Sequence, residues 1–220
     1  MMFENRIDAA SQLIPQLGKY ADKNAVVLAV PRGAVPMGYH IAKDLHLPLD
    51  ILLTKKIGHP ENNELAVGSV SLEGCIIDPR FKVSDAYIKG ETERIRQFLK
   101  ERHLKFSGNR SPIELEGKTV IIVDDGLATG NTMLSSVELV RNHHPKKIVV
   151  AVPVASTVAL KKLKGIADEV ICLCVENEFM AIGQFYYDFS EVTDDQVIYF
   201  LGKWKEESAQ FNAANKHDTE

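Results

Sequence analysis

Short runs of Val, Ile and Leu recur along the chain and alternate with segments of helical periodicity. These runs cover residues 25–30, 49–54, 118–123, 148–152 and 169–175, and a further strand is expected over 65–70. Runs that are apolar at nearly every position indicate strands buried on both faces, as in a parallel sheet. The alternation of such strands with helical segments therefore predicts an α/β fold: an open, mainly parallel twisted sheet with helices on both faces.

Composition limits the domain count and the classes of partner. The chain has 220 residues, of which 45% are hydrophobic, and 26 basic against 30 acidic residues give a net charge of −4. We expect a single domain over residues 1–205 and a polar, disordered tail over 206–220. The acidic balance disfavours a nucleic-acid partner, and no apolar run approaches the roughly 20 residues of a membrane span. The N-terminus lacks the apolar stretch of a signal peptide, so a cytoplasmic location is expected.

The cysteines and the paired histidines give no metal prediction. Three cysteines are too few for a disulfide framework. Cys172 and Cys174 alternate within an apolar strand run, which favours core thiols over a metal or redox role. His143 and His144 fall at a helix end, where cations are favoured, and a metal role is the weaker alternative.

The strongest motif is the segment 120–132, where a buried strand ends in Asp124 and Asp125 and Thr129-Gly130-Asn131-Thr132 opens a helix. Ligands of open α/β sheets bind beyond the carboxyl ends of the strands. A helix start offers free N–H groups and partial positive charge to a phosphate. Ionised carboxylates only accept hydrogen bonds, so they suit the hydroxyls of a sugar diol. The segment thus predicts a site for a pentose 5-phosphate.

This segment resembles the signature of the type I phosphoribosyltransferases, which bind 5-phosphoribosyl-1-pyrophosphate (PRPP). The resemblance implies that Asp124 and Asp125 hold the ribose hydroxyls. It also implies that the 5-phosphate is wrapped by Ala128, Thr129, Gly130, Asn131 and Thr132. The string is particularly similar to the adenine-type version, because Ala128 stands where 6-oxopurine enzymes carry an Asp base. The chain also resembles a branch of phosphoribosyltransferase-like proteins from which no acceptor can be carried over.

Two further segments match the family in chain order. Pro31-Arg32-Gly33 follows the first strand, where the family places a short pyrophosphate loop, so Arg32 and Gly33 are assigned to PRPP. Lys55 and Lys56 begin a segment rich in turn residues, which we interpret as the family's mobile loop. Arg32, Lys55 and Lys56, together with Asp124 and Asp125, are the predicted catalytic residues. His59 in the same loop is interpreted as a surface histidine.

An aromatic-rich segment over 176–190 corresponds in position to the family's small hood, which reads the acceptor base. Aromatic faces stack on flat heterocycles, and Phe185 and Tyr187 are our candidates for acceptor binding. The alternative is that these rings pack the closing helix onto the sheet.

The resemblance implies transfer of phosphoribose from PRPP to a nitrogen nucleophile, such as a purine in salvage, with Mg²⁺ bound through PRPP. A family habit of dimers implies a homodimer. One alternative is a non-enzymatic regulatory protein that binds PRPP or a nucleotide. A phospho-acceptor receiver domain also pairs carboxylates on a parallel sheet, but there the pair lies at the first strand, whereas here it comes late.

Overall fold

The computed structural model describes residues 1–217, and side chains as far as residue 209. Its strands are β1 (Ala25–Ala29), β2 (Leu49–Ile51), β3 (Thr54–His59), β4 (Asn62–Ser71), β5 (Cys75–Ile77), β6 (Thr119–Val123), β7 (Lys147–Ser156) and β8 (Glu169–Glu176). Five of them form a parallel sheet in the order β2-β1-β6-β7-β8. The predicted α/β class is confirmed.

Helices cover both faces of this sheet. They are α1 (Arg6–Leu17), α2 (Val35–Asp44), α3 (Asp85–Ser107), α4 (Asn131–Arg141), α5 (Thr157–Leu163) and α6 (Asp194–His217), with short 3₁₀ turns at Gly18–Tyr20 and Ile182–Phe185. Alternate strand residues divide the core: Val27 and Ile121 pack with α1, α2 and α6, whereas Val26 and Val120 pack with α4 and α5. The central strands β1 and β6 are therefore apolar on both faces.

The segment that begins at Lys55 and Lys56, expected as a mobile loop, is instead part of a β-hairpin, in which only Pro60 and Glu61 form the turn between β3 and β4. Strands β3 and β4 pair antiparallel, and β5, which the sequence analysis did not find, adds to β4. The expected strand over 65–70 exists, but it lies in this separate antiparallel sheet. The breaker residue Gly58 is accommodated by a register irregularity between Ile57 and His59.

The closing helix is longer than the sequence indicated. Residues 206–220 were expected as a disordered tail, but α6 continues to His217, so that prediction is wrong for the segment 206–217. Helix-forming residues such as Glu206, Glu207 and Ala209 explain the continuation. The remaining positions, 218–220, lie outside the described residues.

The N-terminal segment before α1 is tied to the aromatic segment. The Phe3 amide donates to the Phe185 carbonyl at 2.8 Å, and the Tyr187 amide donates to the Phe3 carbonyl at 2.9 Å. The Asp188 amide donates to the Glu4 carbonyl at 2.9 Å, and the Phe3 ring is fully buried. This pairing, extended by the first turn of α1, brings the start of the chain to the carboxyl edge of the sheet.

Candidate functional site

Two loops meet at the carboxyl edge of the sheet. Strands β1 and β6 pair in parallel with Ala29 opposite Val123, so the loop after β1 and the acidic pair after β6 leave from the same edge. A Cβ at Gly33 would lie only 2.1 Å from Asp125 Oδ2. The loop can approach the carboxylate this closely only because residue 33 is glycine. The peptide between Pro31 and Arg32 is cis.

The two neighbouring carboxylates are not equivalent. Asp125 is 8% exposed, whereas Asp124 is half-buried and accepts the Asp125 amide at 2.9 Å. Burial raises the pKa of Asp124 well above its ordinary value, and repulsion from Asp125 raises it further. Burial also raises the pKa of Asp125, but the nearby Arg6 guanidinium opposes that rise. Both carboxyls therefore gain from ligand groups that donate hydrogen bonds.

Sequence reasoning missed two partners of Asp125. Arg6 Nε donates to Asp125 Oδ2 at 2.8 Å, and both side chains are only 11% exposed. The Tyr186 hydroxyl donates to the Asp125 backbone carbonyl at 2.7 Å. Arg6 lies 119 residues from Asp125 in the chain. No local pattern could signal such a contact.

The predicted phosphate loop is open to solvent. Ala128, Thr129, Asn131 and Thr132 are exposed at the start of α4. Gly130 has a φ of 72°, which favours glycine, and a Cβ there would lie 3.0 Å from Ala159. The segment thus presents the free N–H groups of a helix start to incoming ligands.

One further side chain, which the sequence analysis did not single out, reaches this loop. Lys162 Nζ donates to the Thr129 carbonyl at 2.8 Å and to Asn131 Oδ1 at 2.7 Å. Ser156 holds the other side of the loop, because its hydroxyl donates to the Ala128 carbonyl at 2.5 Å. The Lys162 ammonium group therefore lies beside the start of α4, where its positive charge strengthens the attraction of that helix end for an anion.

Arg32 is engaged by acidic residues. Its guanidinium pairs with the exposed Glu191 and lies 3.5 Å from Asp194 Oδ1. Asp194 also forms ion pairs with Arg102 at 2.9 Å and with Lys105 at 2.7 Å. The predicted pyrophosphate-loop cation thus joins a charged cluster at the start of α6.

The two lysines do not share one location. They are neighbours in β3, so their side chains point to opposite faces of the hairpin. Lys55 Nζ lies 4.1 Å from the centroid of the Phe98 ring on α3, whereas Lys56 Nζ lies 3.3 Å from a carboxylate oxygen of Glu64. Without rearrangement of the hairpin, a single leaving group cannot meet both ammonium groups.

The two aromatic candidates for acceptor binding also separate. Phe185 is 5% exposed and packs against Phe179, with ring centroids 5.1 Å apart. A buried ring has no free face for a ligand, so the expectation that Phe185 lines the acceptor pocket is corrected to a core role. Tyr187 is 70% exposed, so its ring is accessible to a ligand.

The cysteines and His143, which the sequence analysis considered as metal ligands, lie away from this edge of the sheet. Cys172 and Cys174 are half-buried in β8, and burial raises the pKa of the Cys172 thiol to about 11. His143 Nδ1 lies 3.3 Å from a carboxylate oxygen of Glu73. Within residues 1–217, no three His, Cys, Asp or Glu side chains cluster as metal ligands, and no helix is long and apolar enough to cross a membrane.

Comparison with known families gives a match over most of the chain. The family described as phosphoribosyl transferase domain matches residues 2–190. That range includes the Pro31–Gly33 loop, the hairpin and the whole of the segment 120–132. It ends at Ser190, before helix α6.

Two individual proteins are similar to this chain over most of its length. A curated protein of Mycobacterium tuberculosis H37Rv, "Putative phosphoribosyl transferase Rv0571c", is 36% identical over 217 residues, which are 96% of this chain and 49% of that protein. The chain therefore spans about half the length of the curated relatives it matches. The crystal structure of TT1426 from Thermus thermophilus superposes with a TM-score of 0.84 at 36% identity, over 93% of this chain and 99% of that one.

Proposed function

Because this chain belongs to the phosphoribosyl transferase domain family, we propose that it transfers 5-phosphoribose from PRPP to a nitrogen nucleophile and releases pyrophosphate. The observation that carries the proposal is one continuous edge of the sheet. Acceptor-only carboxylates lie at one end of it, and an exposed helix start, with Lys162 beside it, lies at the other. These groups suit the hydroxyls and the terminal phosphate of one phosphorylated pentose.

The donor is held by three sets of groups. Asp124 and Asp125 accept hydrogen bonds from the ribose hydroxyls, and residues 128–132 wrap the 5-phosphate with backbone N–H groups. The Pro31–Gly33 loop takes the diphosphate, which competes with Glu191 and Asp194 for the Arg32 guanidinium. Ion pairs between exposed side chains are weak, at about 0–1 kcal/mol, so a charged diphosphate can displace them.

The reaction breaks the bond between ribose C1 and the diphosphate oxygen, which leaves with the bonding electron pair. The nitrogen lone pair of the acceptor forms the new bond to C1, and that nitrogen then loses its proton. Positive charge develops on the sugar ring and negative charge on pyrophosphate. The protein's contribution is therefore positioning and electrostatic stabilisation, from the carboxylates beside the ribose and from Arg32 and Lys56 beside pyrophosphate.

The residues present fit a Mg²⁺ ion that is bound mainly through the donor. Mg²⁺ prefers oxygen ligands and usually keeps few protein ligands beside substrate phosphates. Asp124 and Asp125 are the carboxylates at the site that can support such an ion. When bound, Mg²⁺ supplies charge neutralisation of the diphosphate.

The proposed acceptor is a purine or another nucleobase-like nitrogen compound. Ala128, in place of an acidic base, favours an adenine-type acceptor over a 6-oxopurine, and the accessible Tyr187 ring is the proposed stacking group. A place in purine salvage, a cytoplasmic location and a homodimer remain predictions from the family resemblance.

The test is a screen for pyrophosphate release. The chain is incubated with PRPP, Mg²⁺ and a panel of purines, pyrimidines and small amines. The double variant Asp124→Asn, Asp125→Asn should lose donor binding in isothermal titration while keeping its fold. The matched control is Glu114→Gln, Glu116→Gln, which changes two exposed carboxylates before the amino end of the same strand. Unchanged donor affinity in the aspartate variant would refute the site.

A regulatory protein that binds PRPP or a nucleotide without turnover is the second candidate. The observation in its favour is the pairing of Arg32 with Glu191 and Asp194, because Arg32 can steady pyrophosphate only after these ion pairs are displaced. Donor binding without pyrophosphate release across the whole panel would support this candidate against the enzyme.

A further inference from the structure

The side chain of Arg6 connects three segments at the carboxyl edge of the sheet. Its Nε donates to Asp125 Oδ2 at 2.8 Å, and Nη1 donates to the Ser190 carbonyl at 2.7 Å. Its guanidinium carbon lies 3.9 Å from the centroid of the Phe189 ring. A Cβ at Gly33 would lie 3.4 Å from Nε. One guanidinium thus contacts the acidic pair and the aromatic segment, and lies close to the pyrophosphate loop.

The backbone fixes the position of Arg6. It is the first residue of α1, whose N-cap Asn5 accepts the amides of Ile7 and Asp8 at 2.9 and 3.1 Å. The preceding residues pair with 185–188, and the Phe3 ring lies 5.4 Å from the Tyr186 ring. Tyr186 in turn donates to the Asp125 carbonyl. Arg6 and Asp125 are therefore held together from both the side-chain and the backbone side.

An ion pair this buried adds little to the stability of a fold, because both charges lose hydration. Here the bond occupies Oδ2 of Asp125 and sets the plane of its carboxylate, which leaves Oδ1 for a ligand hydroxyl. Charge-assisted bonds of this kind hold a geometry more firmly than neutral ones. The contact is best explained as orientation of a group that must meet a ligand.

We propose that Arg6 is a positioning residue of the donor site, which orients the Asp125 carboxylate toward the ribose and ties it to the segment 186–190. This inference rests on the proposed function, because the ribose is the ligand that Asp125 would meet. It assigns a functional role to the start of α1, a part of the chain with no phosphate or sugar motif. Arg6 acts through Asp125 and does not itself contact the donor.

The test compares Arg6→Gln and Arg6→Lys with wild type by isothermal titration with PRPP and Mg²⁺ at neutral pH. Arg6→Gln should weaken donor binding about tenfold, the lower end of what loss of an orienting partner costs. The matched control is Arg141→Gln, because Arg141 also bonds a carboxylate and a carbonyl, at 2.9 Å each, but at the far end of α4. Its donor affinity should equal that of wild type.

The conservative variant separates positioning from a general loss of structure. Arg6→Lys keeps the positive charge beside Asp125 but loses the planar fork that bonds both Asp125 and the Ser190 carbonyl. Its donor affinity should therefore lie between that of Arg6→Gln and that of wild type. A general loss of structure would instead lower donor affinity in step with the free energy of unfolding, which urea denaturation measures for each variant.

The outcomes are distinguishable. A wild-type chain that binds no PRPP contradicts the proposed function. A wild-type chain that binds, with a folded Arg6→Gln variant of equal affinity, overturns the role of Arg6. If Arg6→Gln does not fold, Arg6→Lys decides: a few-fold weaker affinity supports positioning, and wild-type affinity overturns it.

Discussion

The carboxyl edge of the parallel sheet and the β3–β4 hairpin carry the two halves of the proposed chemistry, but they are built differently. At the sheet edge, Asp125 is buried and Gly33 packs closely against its carboxylate, so the groups proposed to meet the ribose are already fixed. On the hairpin, Lys55 and Lys56 are exposed and point to opposite faces. The proposed donor site is therefore preformed, whereas the proposed contact with the leaving group requires the hairpin or its side chains to move.

The largest expected effect concerns the preformed edge. In Gly33→Ala, the new Cβ would lie 2.1 Å from Asp125 Oδ2, so the carboxylate or the loop must shift. We expect donor affinity to fall by about 100-fold, or roughly 2.7 kcal/mol, with about 1–3 kcal/mol lost from the free energy of unfolding. Isothermal titration and urea denaturation measure the two quantities.

The control for that substitution is Gly90→Ala, in the middle of α3. A Cβ at Gly90 meets no atom within 4 Å, so this variant should be up to about 1 kcal/mol more stable than wild type through its helix propensity. Its donor affinity should not change. A Gly33→Ala variant that binds PRPP as tightly as wild type would show that the edge is adaptable and would remove the contrast with the hairpin.

Of these two regions, the sheet edge was predicted from the sequence and the hairpin was not. The edge was predictable because its signal is local: a buried strand, two carboxylates and a helix start follow each other within residues 120–132. The hairpin was missed because Gly58 and Pro60 are typical of turns. In the structure Gly58 lies in β3, where a Cβ would be 2.0 Å from Asn63 Oδ1. Its pairing with β4 overrides local propensity.

Other parts of the site depend on contacts distant in sequence. Arg6 and Asp125 are 119 residues apart, and Arg32 and Glu191 are 159 apart. Composition could identify the aromatic segment but not the orientation of each ring, so Phe185 and Tyr187 were grouped although one is buried and the other exposed. These features are set by tertiary packing, which no pattern within one segment records.

The second prediction addresses the hairpin. Lys56 forms an ion pair with the largely exposed Glu64, whereas Lys55 lies over the Phe98 ring on α3. Because an exposed ion pair is weak, Lys56 is the lysine that can more easily turn toward a ligand. Lys56→Gln should lower kcat about tenfold, or roughly 1.4 kcal/mol, through lost stabilisation of departing pyrophosphate. Lys55→Gln is the matched control and should retain kcat. Equal losses of kcat in both variants would mean that the hairpin rearranges, so that both ammonium groups reach the leaving group.

The third prediction uses the charge state of the preformed edge. A raised pKa means that folded Asp124 binds its proton more tightly than the unfolded chain does. The free energy of unfolding therefore falls as pH rises from the ordinary Asp range toward that raised pKa, and the loss persists above it. Asp124→Asn cannot ionise, so at neutral pH it should be more stable than wild type by on the order of 1 kcal/mol.

That gain should disappear near pH 4, where the wild-type carboxyl is protonated in the folded state. Urea denaturation between about pH 4 and pH 8 measures the difference, and donor titration at pH 8 should show the matching loss of affinity. Equal stability of the two chains across this range would mean that the Asp124 carboxyl is not electrostatically strained before the ligand binds.

The smallest expected effect tests the boundary between the two regions, where Glu191 occupies the Arg32 guanidinium. Glu191 is largely exposed, and its carboxylate must leave before a diphosphate can bind there. Glu191→Gln removes this competition, so the affinity for pyrophosphate and PRPP should rise two- to threefold, or about 0.5 kcal/mol, and less in high salt. Glu178→Gln, an exposed change in the aromatic segment just before Glu191, is the control. Weaker binding in Glu191→Gln would instead mean that Glu191 orients Arg32 for the ligand, and the preformed region would then extend to the pyrophosphate loop.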